Sequence, residues 1–600
     1  MFFNRARAAA HGRNRGSRPR AGLTILALAF AIGCGGGPDV KWEPAPGGNE
    51  GPPPRAGEEG EESLGFFDDD DDEAGFSSYA DALLDRYLAL TPSWGRYVGL
   101  HEYDGKVADY SPAGIAKHVS VLKEAKAKLA TFDAGELDDD DALDHAILTN
   151  KTNYDLFDLT QRRRHEQDPR YYTELFDVSS YINFDYAPLD QRAKALLKHE
   201  EAALAQTKHV LDNLDPVLSR PGVETAIKSY EGYAKYLRTD VKKVVSTAGE
   251  VAFRNRFLKV NEQLAKRADA IADGLRKRFL PKSDLKQHVL GVSRYKRFVR
   301  FQEGMSSLDL AAFKEQAEAD LRRNKRAYLA LSKKVKVTRP DRTRLLKAAT
   351  DLMDKSRKFV VDKGLVTIPS DDRCVVKESP PFMRWNAAFL NMPGPYDKAK
   401  QAYYYITMPD PALPKAEQEA YIFPWGVLMA TTVHEVYPGH FLHGLWQRKA
   451  PTRTQKMVDS YSFTEGWAHY VEQMMVEEGF GKDNPQNRLG QLSDALLRNC
   501  RFVVSIGIHT EGMTLEQAAK RFREDCFQDK ATAREQAVRG TFDPGYFAYT
   551  VGKLQILELR EELKKELGAK FELRKFHDAL LGYGAPPVAL IRDRVKAAMK

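Results

Sequence analysis

With 600 residues, 42% of them hydrophobic and 10% aromatic, the chain has ample apolar side chain for a sizeable core. The formal charge of +7 invites a polyanion partner, yet six arginines before residue 34 account for six of those charges. The remaining body is nearly neutral, so no nucleic-acid partner is expected.

In chain order, Arg5, Arg7, Arg13, Arg15, Arg18 and Arg20 precede "AGLTILALAFAIG", a mostly apolar run that ends just before Cys34. A bilayer-spanning helix needs about 20 such residues. A basic segment, a short apolar core and small residues before a cut site make a secretory signal instead. "AIGC" resembles a bacterial lipobox, with Ala31 where leucine is usual. Residues 1–33 are therefore expected to be a lipoprotein signal peptide, and Cys34 the lipid anchor of an exported cell-envelope protein. Ordinary cleavage would leave a soluble periplasmic protein.

Residues 34–75 are rich in Pro, Gly and acid, as in "GGGPDVKWEPAPGGNEGPPPRAGEEGEE", and include Asp68 to Asp72. Such a stretch buries too little apolar surface to order itself. Its acid run lacks the spaced ligands and glycine of a calcium loop. A flexible tether is predicted. The three later cysteines, Cys374, Cys500 and Cys526, allow at most one intrachain disulfide, and no His or Asn constellation makes Cys500 a nucleophile.

The body, residues 76–600, reads as mainly α. "RAKALLKHEEAALAQTKHVLDNL", "FLKVNEQLAKRADAIADGLRKRF" and "LAAFKEQAEADLRRNKRAYLALSKKV" repeat apolar residues at three and four, the spacing of long amphipathic helices. Between about 367 and 412, prolines with aromatic and β-branched residues ("QAYYYITMPDP") predict a small β insert. Helical periodicity returns from 424, and the active-site region is placed at about 370–600.

In "TTVHEVYPGHFLHGLW", His434 and Glu435 open like the zinc-peptidase signature H-E-x-x-H, but the position four residues on is Pro438 and the next histidine is His440. On a regular helix residues six apart diverge by about 120°. A bulge at the Pro-Gly step could return His440 to the face of His434. A third ligand should come from a neighbouring helix. In "SFTEGWAHYVEQ", Glu465, His469 and Glu472 fall on one helical face, and two helices joined near Thr452 could bring Glu465 opposite the histidines. The expected site is one Zn²⁺ on His434, His440 and Glu465, with His469 as a competing ligand and Glu472 as acceptor for a ligand imidazole.

"HEVYPGH" followed by "EGWAHYVEQ" resembles the bacterial family labelled domain of unknown function 885, whose usual pattern is H-E-x-x-P-G-H and then E-G-W-A-x-Y-x-E. The resemblance continues through "RFVVSIGIHTEGMTLEQAAKRF", "DPGYFAYTVGKLQILELREEL" and "KFHDALLGYGAPPVALI". The family is similar in layout to helical zinc peptidases of the thimet oligopeptidase and carboxypeptidase Taq type. That resemblance implies a large two-lobed helical body with a deep cleft and a Glu-ligated zinc. The sequence departs from the family pattern at Ser505 (usually Asp), Met513 (usually Trp) and His469 (usually apolar), which leaves the ligands intact but not the substrate preference.

With zinc bound, Glu435 would serve as general base, and the oxyanion donor would be Tyr549, His509 or Tyr546. Tyr549 is preferred because Tyr549 and Gly552 match the family's Tyr-x-x-Gly, Gly552 leaving room for substrate backbone. Arg384 could dock a peptide, and His577 reads as a core or capping residue. The leading expectation is a lipid-anchored zinc metallopeptidase acting on peptides. The alternatives are a non-catalytic helical binding lipoprotein with a structural metal, and a zinc hydrolase of a non-peptide amide or ester.

Overall fold

The computed structural model describes residues 75–380, 387–410 and 414–600. The expected signal segment, Cys34, nearly all of the expected tether, and Arg384 lie outside the described residues. Helix makes up 70% and strand 3%, so the protein is mainly α with a small sheet. The first described helix is Phe76–Leu90, where amphipathic periodicity begins.

The N-terminal helices have their own core. Val251–Gly274 buries Phe257, Val260, Leu264, Ala268 and Ile271, the three-and-four spacing read from the sequence. It packs on Arg220–Tyr236 and Leu189–Gln206. The resulting apolar cluster draws all of its buried residues from positions 108–279. A second large cluster joins the C-terminal helices to the sheet and contains Val433, Val436, Phe463 and Trp467, which flank the expected ligands.

The sheet consists of β1 (Cys374–Glu378), β2 (Ala388–Asn391) and β3 (Ala402–Ile406), in the order β1-β3-β2. β1 runs parallel to β3, and β2 runs antiparallel with Leu390 opposite Tyr404. β2 is thus an edge strand.

The helices that build the site are α1 (Trp425–Glu435), α2 (His440–Gln447), α3 (Tyr461–Glu477), α4 (Pro485–Thr510), α5 (Lys530–Phe542) and α6 (Ala548–Leu567). α1 buries Val427, Leu428, Met429, Ala430 and Val433 on several faces, so it is a central helix rather than a surface one. α3 starts on Ser460, whose hydroxyl accepts the Phe463 N–H at 3.3 Å. α3 and α6 cross closely because both carry glycine there: a Cβ on Gly466 would lie 2.5 Å from the Gly552 Cα, and one on Gly552 would lie 1.8 Å from the Ser462 carbonyl oxygen. The expected role of Gly552 is corrected accordingly: it admits a neighbouring helix, not substrate. Among the described residues no helix is long and apolar enough to cross a membrane. A disulfide joins Cys500 to Cys526, leaving Cys374 as the free thiol of the described residues.

Candidate metal centre

The irregular spacing of the two histidines is resolved by a helix break, not by the bulge expected within one helix. α1 ends at Glu435, the Tyr437–Pro438 peptide is cis, and α2 begins at His440. Proline cannot supply the N–H that a continuing helix needs. The chain folds back so tightly that the Gly439 N–H reaches the Val433 carbonyl at 3.0 Å. A Cβ on Gly439 would fall 1.8 Å from the His434 carbonyl oxygen, so this turn requires glycine. His440 is thereby presented at the first turn of a new helix, its ring centroid 4.6 Å from that of His434.

α3 supplies the third group. Glu465 Oε2 lies 3.4 Å from His434 Nε2 and 3.5 Å from His440 Nε2. Ligand bonds of about 2.0–2.1 Å in a tetrahedron place neighbouring ligand atoms about 3.3–3.4 Å apart, so these separations fit a zinc-sized ion. Glu465 Oε2 is buried and has no hydrogen-bond partner among the described residues, an orphaned carboxylate oxygen that a cation would satisfy. His434, His440 and Glu465 form the His/Cys/Asp/Glu group, among the described residues, whose donor atoms converge for a metal. The side chains of His434 and Glu465 are 5% and 7% exposed and that of His440 is 17%, so solvent approaches from the His440 side.

The tautomers follow from the partners. His434 Nδ1 donates to Glu472 Oε1 at 2.7 Å, so the proton a metal would displace is the one on Nε2, the nitrogen that faces Glu465. Glu472 also receives Arg498 Nη2 at 3.1 Å and His469 Nδ1 at 3.2 Å. Arg498 lies 3.3 Å from His434 Nδ1 as well, but both are donors there, so the carboxylate is its partner. His469 therefore sits behind Glu472 and outside the convergent trio.

Glu435 follows the first histidine and lies close enough to feel the charges of His434, His440 and Glu465, yet it is not one of the three convergent donors. Its Oε2 accepts the backbone N–H of Leu390 at 2.8 Å. In an antiparallel pair the N–H groups of one strand alternate between the partner and the outer side, so the outer edge of β2 borders the site. Burial pushes the Glu435 carboxyl up, while His434 and His440 pull it back. Burial alone would raise Glu465 too, but His440 and His434 hold it well below the usual carboxylate range.

The three candidate oxyanion donors part company. Tyr549 is fully buried, its hydroxyl has no hydrogen-bond partner among the described residues, and burial followed by the charge of Glu465 raises its pKa, keeping it an O–H donor. His509 instead bonds the Gly540 carbonyl at 2.8 Å and stacks on Tyr295, while Tyr546 lies against Gly540. His509 is thus committed to packing between α4 and α5, whereas the Tyr546 hydroxyl, like that of Tyr549, is buried without a hydrogen-bond partner among the described residues, with Arg539 6.0 Å from its ring centre. Ser505 bonds the Pro544 carbonyl and Tyr295, and Met513 packs on Gly507. His577 bridges Tyr470 and the Leu365 carbonyl in the core, as its sequence context implied.

Residues not singled out from sequence also line the site. Arg501 and Arg539 are buried around Tyr549 and Arg498 is largely so, with its side chain 11% exposed, and Tyr461 meets the Tyr549 ring edge-on at 5.8 Å. The three-residue spacing of Arg498 and Arg501 puts both on one face of α4, the signal that could have revealed them.

Metal uptake should depend on pH. Burial alone would lower His434, but Glu465 and Glu472 outweigh it and raise its pKa to about 9 in the metal-free protein. A ligand imidazole must be neutral, so below that pH a metal displaces one proton. Affinity should strengthen about tenfold per pH unit between pH 6.5 and 9 and level off above, as read by calorimetric zinc titrations in buffers of different ionisation enthalpy.

The whole site falls inside residues 92–595, which match the family described as "Bacterial protein of unknown function (DUF885)". A solved structure described as a candidate lipoprotein of unknown function from Shewanella oneidensis is 26% identical, with TM-score 0.73, covering 87% of this chain and 100% of that one. Another, described as a candidate lipoprotein from Colwellia psychrerythraea, is 18% identical with TM-score 0.71, covers 87% of this chain and 98% of its own, and shows the shared fold. No curated protein matches the chain. The chain belongs to the DUF885 family of bacterial proteins of unknown function.

Proposed function

We propose that the protein is a zinc-dependent hydrolase that cleaves peptides. One observation carries the reading: a buried carboxylate that is not a ligand, Glu435, is held beside a convergent His-His-Glu trio by the Leu390 N–H. A structural metal needs ligands but no such base. Zinc, when bound by His434, His440 and Glu465, supplies a Lewis acid and an activated water. Glu435 takes the proton of the attacking water and delivers it to the leaving amine. Glu472, backed by Arg498, keeps the His434 proton on Nδ1. Tyr549 donates its O–H to the oxygen that gains charge. The outer edge of β2 offers backbone groups along which an extended chain can lie. The resemblance to the two-lobed peptidases named above implies such a layout, and the separate N-terminal core is consistent with it.

The test is a peptide-library digest with purified, zinc-loaded protein, read by mass spectrometry alongside metal analysis. Zinc-dependent cleavage supports the reading. Bound zinc with no cleavage of peptides would favour the structural-metal lipoprotein, and cleavage of esters alone would move the substrate class.

Tyr549→Phe should keep its zinc and melting temperature while kcat falls about 10²–10³-fold, the usual loss for one oxyanion donor. An unfolded variant with full activity per folded molecule would make the ring a packing residue.

The lipobox-like "AIGC", with solved relatives described as candidate lipoproteins, supports a lipid anchor at Cys34 and a place in the cell envelope. Cys34→Ser should move the protein from the membrane fraction to the soluble one, because several acyl chains hold stably where one holds weakly. Unchanged fractionation would assign membrane attachment to another part of the chain.

A further inference from the structure

Three guanidinium groups, buried or largely so, surround Tyr549, and two of them have acidic partners. Arg498 pairs with Glu472 at 3.1 Å, and Arg539 pairs with Asp543 at 2.9 Å while donating to the Tyr461 oxygen at 2.9 Å. Arg501 differs. It is 2% exposed, its Nε donates to the neutral Gln536 Oε1 at 2.9 Å, and no carboxylate among the described residues pairs with it. Its guanidinium lies 4.8 Å from the centre of the Tyr549 ring. The Tyr549 hydroxyl is likewise buried and without a hydrogen-bond partner among the described residues. A cation shut away from water without a counter-charge is costly, and a π face offsets only part of that cost. Near a trio that holds a divalent cation, the imbalance grows.

We propose that Arg501, with the Tyr549 hydroxyl beside it, is a carboxylate-binding subsite that takes the C-terminal carboxylate of a peptide, so that the protein is an exopeptidase working from the carboxyl end. The proposal rests on the peptidase reading above. A guanidinium presents parallel N–H donors that match the two oxygens of a carboxylate. Its position fits: Arg501 lies one turn along α4 from Arg498, whose own partner Glu472 holds His434. Arg501 also lies beside the Tyr549 ring, on which the charge of Glu465 acts, so a chain end bound by Arg501 and the Tyr549 hydroxyl would leave a bond near the C-terminus on the Glu465 side of the trio. Burial of the guanidinium favours a chain terminus over a chain that continues.

The test is calorimetric binding to full-length, zinc-loaded Glu435→Gln protein, which should bind peptides without consuming them. The probes are acetyl-Ala-Ala with a free carboxylate, its C-terminal amide, and acetyl-Asp-Ala-amide, which carries its carboxylate on a side chain. The free acid should bind about 10- to 100-fold tighter than either amide, the range for a hydrogen-bonded charged pair. Adding Arg501→Gln should abolish that difference with zinc content unchanged. If that variant does not fold, Arg501→Lys, which keeps the charge but loses the fork, should narrow it. Equal binding of acid and amide, equal binding of the side-chain acid, or selectivity surviving in the foldable Arg501 variant would each overturn the subsite. Wild-type turnover separates the two ideas. Hydrolysis with no acid selectivity defeats the subsite alone, and acid-selective binding without hydrolysis defeats the peptidase reading alone.

Discussion

Glu435→Gln is expected to bind one zinc per chain, melt with the wild type, and lose about 10²–10⁴-fold in turnover, the range a positioned general base supplies. The amide preserves size, and its oxygen can still accept the Leu390 N–H that holds the carboxylate at 2.8 Å. What it cannot do is take a proton. Burial pushes the Glu435 carboxyl up and the neighbouring imidazoles pull it back. Zinc analysis and kcat/KM on the best library peptide check the expectation together. Wild-type turnover in the variant would remove Glu435 from the chemistry and leave the trio as a structural site.

Loss of metal is the second large effect. His434→Ala, His440→Ala and Glu465→Ala should each reduce zinc from about one per chain to background, because a trio that loses one donor no longer surrounds the ion. Glu472→Gln should weaken binding by about 10–100-fold, the usual cost of removing the group that orients a ligand imidazole. His469→Ala should retain its zinc, since His469 contacts Glu472 and not the trio. Atomic-emission analysis after dialysis against a weak chelator reads all five variants. Full zinc in Glu465→Ala with loss only in His469→Ala would transfer the third ligand to His469.

The mainly helical body was legible in the sequence because amphipathic spacing is a local property. Val251–Gly274 buries the positions its periodicity marks, and "QAYYYI" forms β3 as its aromatic, β-branched texture implied. The grouping of His434, His440 and Glu465 was legible because ligand chemistry resides in residue type and the three recur at the spacing of two paired motifs, and the fold brings them together. Tertiary structure decided how the extra spacing is absorbed, since whether Pro438 and Gly439 make a bulge or a break depends on the space beside the His434 carbonyl. It separated Tyr549 from His509, whose ring bonds the Gly540 carbonyl, although their segments read alike. It also placed the Leu390 N–H on Glu435 and left Arg501 without an acid among the described residues. A backbone amide is the same at every position, and an unpaired charge is defined by what fails to approach it. Neither has a signature in the order of residues, because both are set by elements far apart in the chain that meet only when it folds.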